Sequence, residues 1–454
     1  MENPIRGNLT EGPIFSVLMK LALPIMASAF LATAYSIVDM FWIGKLGASA
    51  VAGVGIGGQF IWLSQGIAIL PKMGGQIHVG QALGRGDREA AKHFSVAALQ
   101  VVILFGVIFG LVFAFFTNGV VSLFGLSDME TIAYAQSYSR IVCGLVLFSF
   151  INTVLTGLYT AQGNSRTPLK ANVIGLLVNI VLDPLLIFGW GLFPEWGVKG
   201  AAIASVFAQV IAMIILVASI SSQKNGENIL KGIKVLCKSN GRYVGNVLKM
   251  GWPNALQSIF FCLISMMLTR IIAGFGDAAV ATQRVGDQLE TLTWNAADGF
   301  AGAISAFVAQ NFGALKMNRV RKGYRVAFFS VALWGLLITA IFLIFPEQIV
   351  GLFFYEEDVV PVAAGYLVIV GLSEVFMCVE LMAVGAISGL GSTKVCSGIS
   401  VFFTVIRIPM AIILSNTSLG LNGVWWTLTI TTVAKGVCLH LAFKTQCKKK
   451  ERQI

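Results

Sequence analysis

Twelve stretches of this chain stay apolar for long enough to cross the ~30 Å hydrocarbon core of a bilayer, and no soluble architecture hides that many. They fall at about 14–43, 49–80, 93–118, 131–161, 169–190, 198–222, 247–273, 279–310, 324–346, 359–389, 395–415 and 421–443. The breaks carry polar and turn residues, as in "GRGDREAAKH", "QGNSRTP", "LFPEWGVKG" and "YEEDVVP". Segments longer than about 25 residues must tilt, bend or emerge from the membrane. Of the 454 residues only 12% are charged, where a soluble domain carries about 25%. The mean hydropathy is +0.82, and the 49 glycines suit close helix approach. The expectation is an all-α polytopic membrane protein. Glu2 and Glu11 occupy the place of a basic leader and no small-residue cleavage site follows, so no cleavable signal is expected.

The net charge of +11 could suggest nucleic acid, but its distribution gives a different reading. When the breaks are assigned alternately to two sides, one side collects Arg85, Arg88, Lys92, Arg166, Lys170, Lys224, Lys231, Lys234, Lys238, Arg242, Lys316, Arg319, Arg321, Lys322, Arg325, Lys394 and the tail "KTQCKKKER". The other side holds little beyond Lys45 and Lys199, with Asp128, Glu130, Glu195, Glu347, Glu356, Glu357 and Asp358. By the positive-inside rule both termini are cytoplasmic, in a cell inner or plasma membrane. Lipid headgroups, not nucleic acid, are the expected contacts of the basic side.

The chain nearly repeats itself at an offset of about 229. "KLALP" (20–24) returns as "KMGWP" (249–253), "LGASAVA" (46–52) as "FGDAAVA" (275–281), "GQALG" (80–84) as "AQNFG" (309–313), and "VVSLFG" (120–125) as "IVGLFF" (349–354). "WGVKGAA" (196–202) matches "LGLNGVW" (419–425) at a shorter offset. Each half holds six spans, an even number, so both insert in one orientation. The expected relation is a pseudo-two-fold axis along the membrane normal, with an N-terminal lobe over 1–222, a cytoplasmic linker over 223–246 and a C-terminal lobe over 247–454. Residues shared by the repeat are candidates for scaffold; Pro24 and Pro253, both early in a span, are expected to bend it.

Polar residues outside the repeat are candidates for function. Asp39 in the first span corresponds to Leu268, and Asp183 in the fifth has no acidic counterpart. Asn179 lies one turn before Asp183, so the two share a helix face. Pro184 removes a backbone donor beside Asp183. Tyr35 precedes Asp39 by one turn, Asn152, Thr153 and Thr156 stud the fourth span, and Tyr138 lies near its outer end. Two acids in such a cluster suit a proton carrier or an oxygen-ligated Na⁺ site; the bland alternative is an ion pair with Lys72 or Arg140. The second half carries Asp287, Glu290 and Asp298 on the eighth span and Glu374 and Glu380 on the tenth, with Arg270, Arg284, Arg407 and Lys435 as balancing bases. Those acids form either a charge-paired scaffold or a cation-binding surface. Lys72, after Pro71, is expected to snorkel or pair with an Asp.

Enzyme readings find little support. The seven cysteines include no C-x-x-C pair, and Cys262, Cys378 and Cys438 sit in apolar runs as small hydrophobes. The histidines are far apart, with His78 and His93 near span ends in solvated or capping positions, so no resident metal or cofactor is expected. "GQALGRGD" lacks the Lys-Ser/Thr of a phosphate loop. Transport would therefore draw on an ion gradient.

Several stretches resemble the multidrug and toxic compound extrusion (MATE) transporters of prokaryotic type: "LALPIMASAFLATAYSIVDMFWIGKLGASAVAGVG", "GQALGRGDREAAKH", "GLYTAQGNSRTPLKANVIGLLVNIVLDPLLIFGWG" and "GVKGAA". The resemblance runs over essentially the whole chain. It implies a monomeric exporter of cationic, amphipathic organic compounds in exchange for H⁺ or Na⁺. It also implies that Asp39, Asp183 and Asn179 form the ion-coupling site; the polar residues of the spans themselves make Tyr35, Tyr138, Asn152, Thr153, Thr156, Gln257, Asp298, Glu374 and Glu380 the candidate substrate and cavity residues. Some branches of the family carry an acid in the seventh helix. This sequence has none there, Gln257 being the nearest polar residue, and Glu374 and Glu380 are the candidates to substitute. "AILPKMGG" departs from the uncharged run usual in the second helix. A lipid-linked oligosaccharide flippase or a metabolite exporter of the same superfamily is the alternative; a flippase favours a basic cavity, and Lys72, Arg270 and Arg407 are the residues that could supply one.

Overall fold

The structure, a computed structural model, describes residues 8–125, 128–190, 194–222, 228–233, 235, 240–353 and 359–453. Glu2, Lys224, Lys234, Lys238, Glu356, Glu357 and Asp358 of the charge pattern lie outside the described residues. Sixteen helices follow in chain order: α1 Ile14–Gly44, α2 Ala48–Gly84, α3 Arg88–Ser122, α4 Met129–Gly144, α5 Leu147–Ala161, α6 Arg166–Ile187, α7 Val198–Ser222, α8 Gly241–Ala273, α9 Asp277–Gly313, α10 Met317–Ile344, α11 Pro346–Val350, α12 Val359–Gly371, α13 Glu374–Gly389, α14 Thr393–Val405, α15 Arg407–Ser415 and α16 Leu421–Glu451. No strand occurs among the described residues. In lipid a backbone must satisfy its polar groups internally, and helices do this within each span.

Among the described residues nine helices, with α14 and α15 taken together, have the length and hydropathy of membrane spans, and two bent pairs, α4–α5 and α12–α13, each make one more. The twelfth is α9, which is long enough but too polar to pass on hydropathy. Phe115, Leu333, Leu352 and Phe329 are among many large apolar side chains left exposed, as a lipid-facing surface requires. The twelve-helix, two-lobe layout expected from the sequence is therefore the observed one, with a difference inside the fourth and tenth spans. Each exceeds the length for which a tilt, a bend or emergence is expected, and each is bent by 46° at a short break that the sequence does not mark, at Leu145–Val146 and at Leu372–Ser373. The eleventh span is also interrupted, at Ile406. Pro24 and Pro253, in contrast, sit inside unbroken helices.

Two compact units are present. The first is built on Ala27–Trp252 and the second on Leu9–Met26 with Pro253–Ile454, so the division falls within α1 and α8. In the first unit, Phe150, Leu158 and Tyr159 of α5 pack with Val79, Phe94, Val102 and Leu216, and the Tyr159 hydroxyl donates to the Leu216 carbonyl at 2.9 Å. Close approach there depends on glycine: a Cβ on Gly200 would lie 2.2 Å from the Leu186 carbonyl oxygen, which lets α7 lie against α6. His78 is half-buried and stacks on Phe94, a packing role in place of the solvated or capping one expected, whereas His93 stacks on Tyr243 and stays exposed, as expected. Lys72 lies against Gly157 and makes no ion pair among the described residues.

In the second unit, Leu18 and Leu21 join Phe300, Phe307, Tyr324, Met382 and Phe443 in one core. The segment before α1 is clasped there. Arg319 donates from Nη1 to the Gly12 carbonyl at 2.9 Å and from Nη2 to the Glu11 carbonyl at 2.7 Å. The Leu9 amide donates to Gln310 Oε1 at 3.0 Å.

Candidate ion and substrate site

Asp39 and Asp183 reach their places on long apolar helices, α1 and α6, whose burial is driven by their neighbours and not by the acids. Asp183 is fully buried and Asp39 is 6% exposed. Burying a charge without a partner costs several kcal/mol, so the surroundings decide what these groups do. Among the described residues neither carboxylate is in an ion pair. Arg140, one of the bases available for pairing, donates instead to Asn118 Oδ1 at 2.9 Å. Asn179 Nδ2 donates to Asp183 Oδ1 at 3.2 Å, across the one-turn spacing read from the sequence. The helix continues through Pro184, three residues from the end of α6, and the Pro184 carbonyl accepts the Phe188 amide at 3.2 Å.

Three oxygens of this cluster, Asp39 Oδ1, Asp183 Oδ2 and Asn179 Oδ1, are buried and receive no hydrogen bond. The charges of Asp39 and Asp183 act on each other, and both act on the hydroxyls of Tyr35 and Tyr138. Tyr35 shares a 2.6 Å hydrogen bond with the Ser205 hydroxyl. Three hard oxygens that receive no hydrogen bond can accept protons or ligate a small hard cation.

Beside this cluster lies a cavity of about 420 Å³, lined among others by Tyr35, Asp39, Trp62, Gln65, Tyr138 and Gln209. Every lining residue belongs to the first unit. Its apolar wall comes from Met40, Val54, Ile61, Val142, Leu145, Val146 and Val206. Among the described residues Asp39 is the one carboxylate that lines it, and no Lys, Arg or His does. Asn152 and Thr153 stand one layer behind. Asn152 Nδ2 donates to the Gln209 carbonyl at 2.8 Å and to Gln209 Oε1 at 2.9 Å, and the Thr153 hydroxyl donates to Gln65 Oε1 at 3.2 Å. Thr156 is half-buried on α5, with its carbonyl taken by the Thr160 hydroxyl. Sequence reading singled out Tyr35, Asp39 and Tyr138 but passed over Gln65, Ser149, Ser205 and Gln209. Their signal was available, since Ser205 and Gln209 are the polar pair one turn apart in "ASVFAQV".

The remaining candidates lie in the second unit and form a separate network. The Glu290 carboxylate accepts from the Tyr366 hydroxyl. Gln283 Nε2 donates to Asp287 Oδ1 at 2.6 Å and to Tyr366 Oη at 3.2 Å. Glu374 opens α13 at the break, buried, with Oε2 unpartnered, and Gln257 Oε1 on α8 is also buried without a partner. Glu380 forms a buried 2.7 Å ion pair with Lys435. Arg407 Nε and Nη2 donate to the hydroxyls of Thr431 and Thr432 at 2.9 and 3.0 Å. Asp298 is half-buried on α9.

Comparison with known proteins agrees with this architecture. The MatE family model matches residues 24–185 and 253–413, one stretch in each half. A probable multidrug resistance protein NorM of Thermotoga maritima is 26% identical over 412 residues, covering 90% of this chain and 87% of that protein. The multidrug export protein MepA of Staphylococcus aureus is 25% identical over 430 residues, covering 94% and 92%. Among solved structures, a MOP superfamily transporter from Pyrococcus furiosus, described as having a binding pocket of reversed polarity, superposes with a TM-score of 0.91 at 21% identity over 99% of this chain and all of that one. An outward-facing MATE family transporter of the MOP superfamily superposes at 0.90 with 21% identity over the same shares. With both halves matched by the family model, this twelve-span duplicated chain belongs to the MatE family.

Proposed function

We propose that the chain is a secondary active efflux transporter that exports cationic, amphipathic organic compounds through alternating access, in exchange for H⁺ or Na⁺. The observation that carries the reading is the trio of buried, donorless oxygens on Asp39, Asp183 and Asn179 beside a cavity whose one carboxylate is Asp39. An organic cation is attracted to that carboxylate, and Trp62, Tyr35 and Tyr138 offer π-faces to it. The same carboxylate is a ligand for the coupling ion, so the two compete. An ion shifts a two-state equilibrium only by binding the two states differently; Asp39 neutralised in one state and ionised in the other supplies that difference. Tyr35 and Tyr138 line the cargo space, and Asn152 and Thr153 hold its amide wall. In the second unit Glu374 and Gln257 are polar contacts of secondary rank, and Glu380 is a scaffold group through Lys435. No resident cofactor enters the scheme.

A metabolite exporter would use the same site with a different natural cargo. The absence of any base among the cavity-lining residues weighs against a flippase for pyrophosphate-linked lipids. The protein is placed in the bacterial inner or plasma membrane with both termini cytoplasmic, as a monomer whose basic loops meet anionic headgroups.

Efflux of a fluorescent organic cation in everted vesicles, with pH and Na⁺ gradients imposed separately, identifies the ion. Asp39→Asn and Asp183→Asn should each abolish gradient-driven efflux while the protein remains in the membrane. Unchanged export in both variants would rule out the site.

A further inference from the structure

α3 contributes no residue to the cavity, yet two of its glycines fix where a cavity wall stands. Gly106 and Gly110 are one turn apart in "GVIFG", the small-xxx-small spacing that lets two helices touch backbone to backbone. A Cβ on Gly110 would lie 2.6 Å from the Gly144 carbonyl oxygen, and one on Gly106 would lie 2.9 Å from Leu147 Cδ1 and 3.1 Å from Leu147 Cα. Gly144 ends α4 and Leu147 begins α5, so the two glycines seat the 46° break itself. From the same break, Val142, Leu145, Val146 and Ser149 line the cavity. α4 is hemmed in by α2 as well: Cβ atoms on Gly53 and Gly57 would lie 2.7 Å from Tyr134 Cβ and 2.4 Å from Tyr138 Cδ1. A methyl group on α3 would therefore press on the break, whose own residues line the cavity.

The second unit repeats the device. A Cβ on Gly335 of α10 would lie 2.7 Å from Val375 Cα, and one turn later the Thr339 hydroxyl donates to the Gly371 carbonyl at 2.8 Å, beside the α12–α13 break. The recurrence marks the seat as part of the duplicated design. In the first unit it stands behind a cavity that holds a ligand-directed group: Asp39 is 94% buried, with Oδ1 unpartnered, and lines the same space.

We propose that Gly106 and Gly110 are positioning residues that set the depth of the first unit's cavity and thereby the size of organic cation that it admits. The inference rests on the reading of that cavity as the cargo site. In this view the helix break is the movable wall, α3 is its backing, and cargo range is tuned from outside the cavity.

The test uses the full chain in lipid nanodiscs and proteoliposomes with two probes, tetraethylammonium and the bulkier tetraphenylphosphonium. For Gly110→Ala, the Kd and KM for tetraphenylphosphonium should rise about tenfold or more while those for tetraethylammonium stay within about twofold and kcat is retained. Gly106→Ala, whose backbone contact at 3.1 Å is looser than the 2.6 Å at Gly110, should shift the same ratio less and covers the case in which Gly110→Ala does not fold. Adding Leu145→Ala to Gly110→Ala returns space on the cavity side and should restore the bulky cation. Equal losses for both probes, or a folded Gly110→Ala variant with wild-type affinity for tetraphenylphosphonium, would overturn the inference. Leu145→Trp separates it from the reading beneath: if filling the cavity leaves binding of both probes untouched, the cargo site lies elsewhere and both fall.

Discussion

The ion pair between Glu380 and Lys435 gives the sharpest energetic test of the second unit. Its atoms are 2.7 Å apart, with side chains only 9% and 6% exposed. At an effective dielectric of about 20, two unit charges at that distance attract by about 6 kcal/mol, and each ion gives up several kcal/mol of hydration on burial. The pair as a whole is then close to break-even against apolar residues of the same volume, while either charge left alone is costly. Lys435→Met should destabilise the protein by about 3 kcal/mol and Glu380→Gln by about 5 kcal/mol. The asymmetry comes from Arg407, whose charge acts on both Glu380 and Lys435. Without the glutamate two cations face each other, whereas without the lysine Arg407 still faces Glu380. The double variant Glu380→Gln/Lys435→Met should recover most of the loss. Thermal unfolding of the four proteins in one detergent, combined as a double-mutant cycle, reads the coupling directly. Additive losses would refute the break-even reasoning, and a Glu380→Gln protein as stable as wild type but inactive would move Glu380 from scaffold to transport.

Two further outcomes follow from the packing. Gly251→Ala places a Cβ 2.0 Å from the Leu70 carbonyl oxygen, so α8 must shift from α2, at about 1–3 kcal/mol, visible as a lowered melting temperature. Arg319→Gln removes the two charge-assisted bonds that hold the Glu11 and Gly12 carbonyls; faster amide exchange and proteolysis should then be confined to the segment before α1.

The spans were legible because hydropathy reports burial in lipid residue by residue. The bends were not. Neither Leu145–Val146 nor Leu372–Ser373 contains proline, and apolar continuity reads the same through a 46° turn as through a straight helix. What betrays the breaks is glycine on a third helix, information that is long-range and so invisible in a local window. At the site, Asp39 and Asp183 stood out because an acid in a span has to be accounted for, and Asn179 followed from helical spacing. Gln65, Ser205 and Gln209 went unremarked since an isolated amide or hydroxyl among apolar residues is as often interhelical glue as cavity wall. Glu380 stood in the sequence with two readings open, cavity residue or charge-paired scaffold with Lys435 among the available bases, and its 2.7 Å approach to Lys435 supports the second.

α9 has a consequence for how the protein reaches its membrane. Arg284, Asp287, Glu290 and Asp298 together impose on the order of 10 kcal/mol against insertion of an isolated helix, which is why it fails on hydropathy where its neighbours pass. It becomes a stable span only in company. Tyr366 takes up Glu290, and α13 lies so close that Cβ atoms on Gly385 and Gly389 would sit 2.3 and 2.6 Å from the carbonyls of Ala301 and Ser305. Both partners are translated after α9. The stability of α9 as a span is thereby tied to α12 and α13, helices that the ribosome delivers after it.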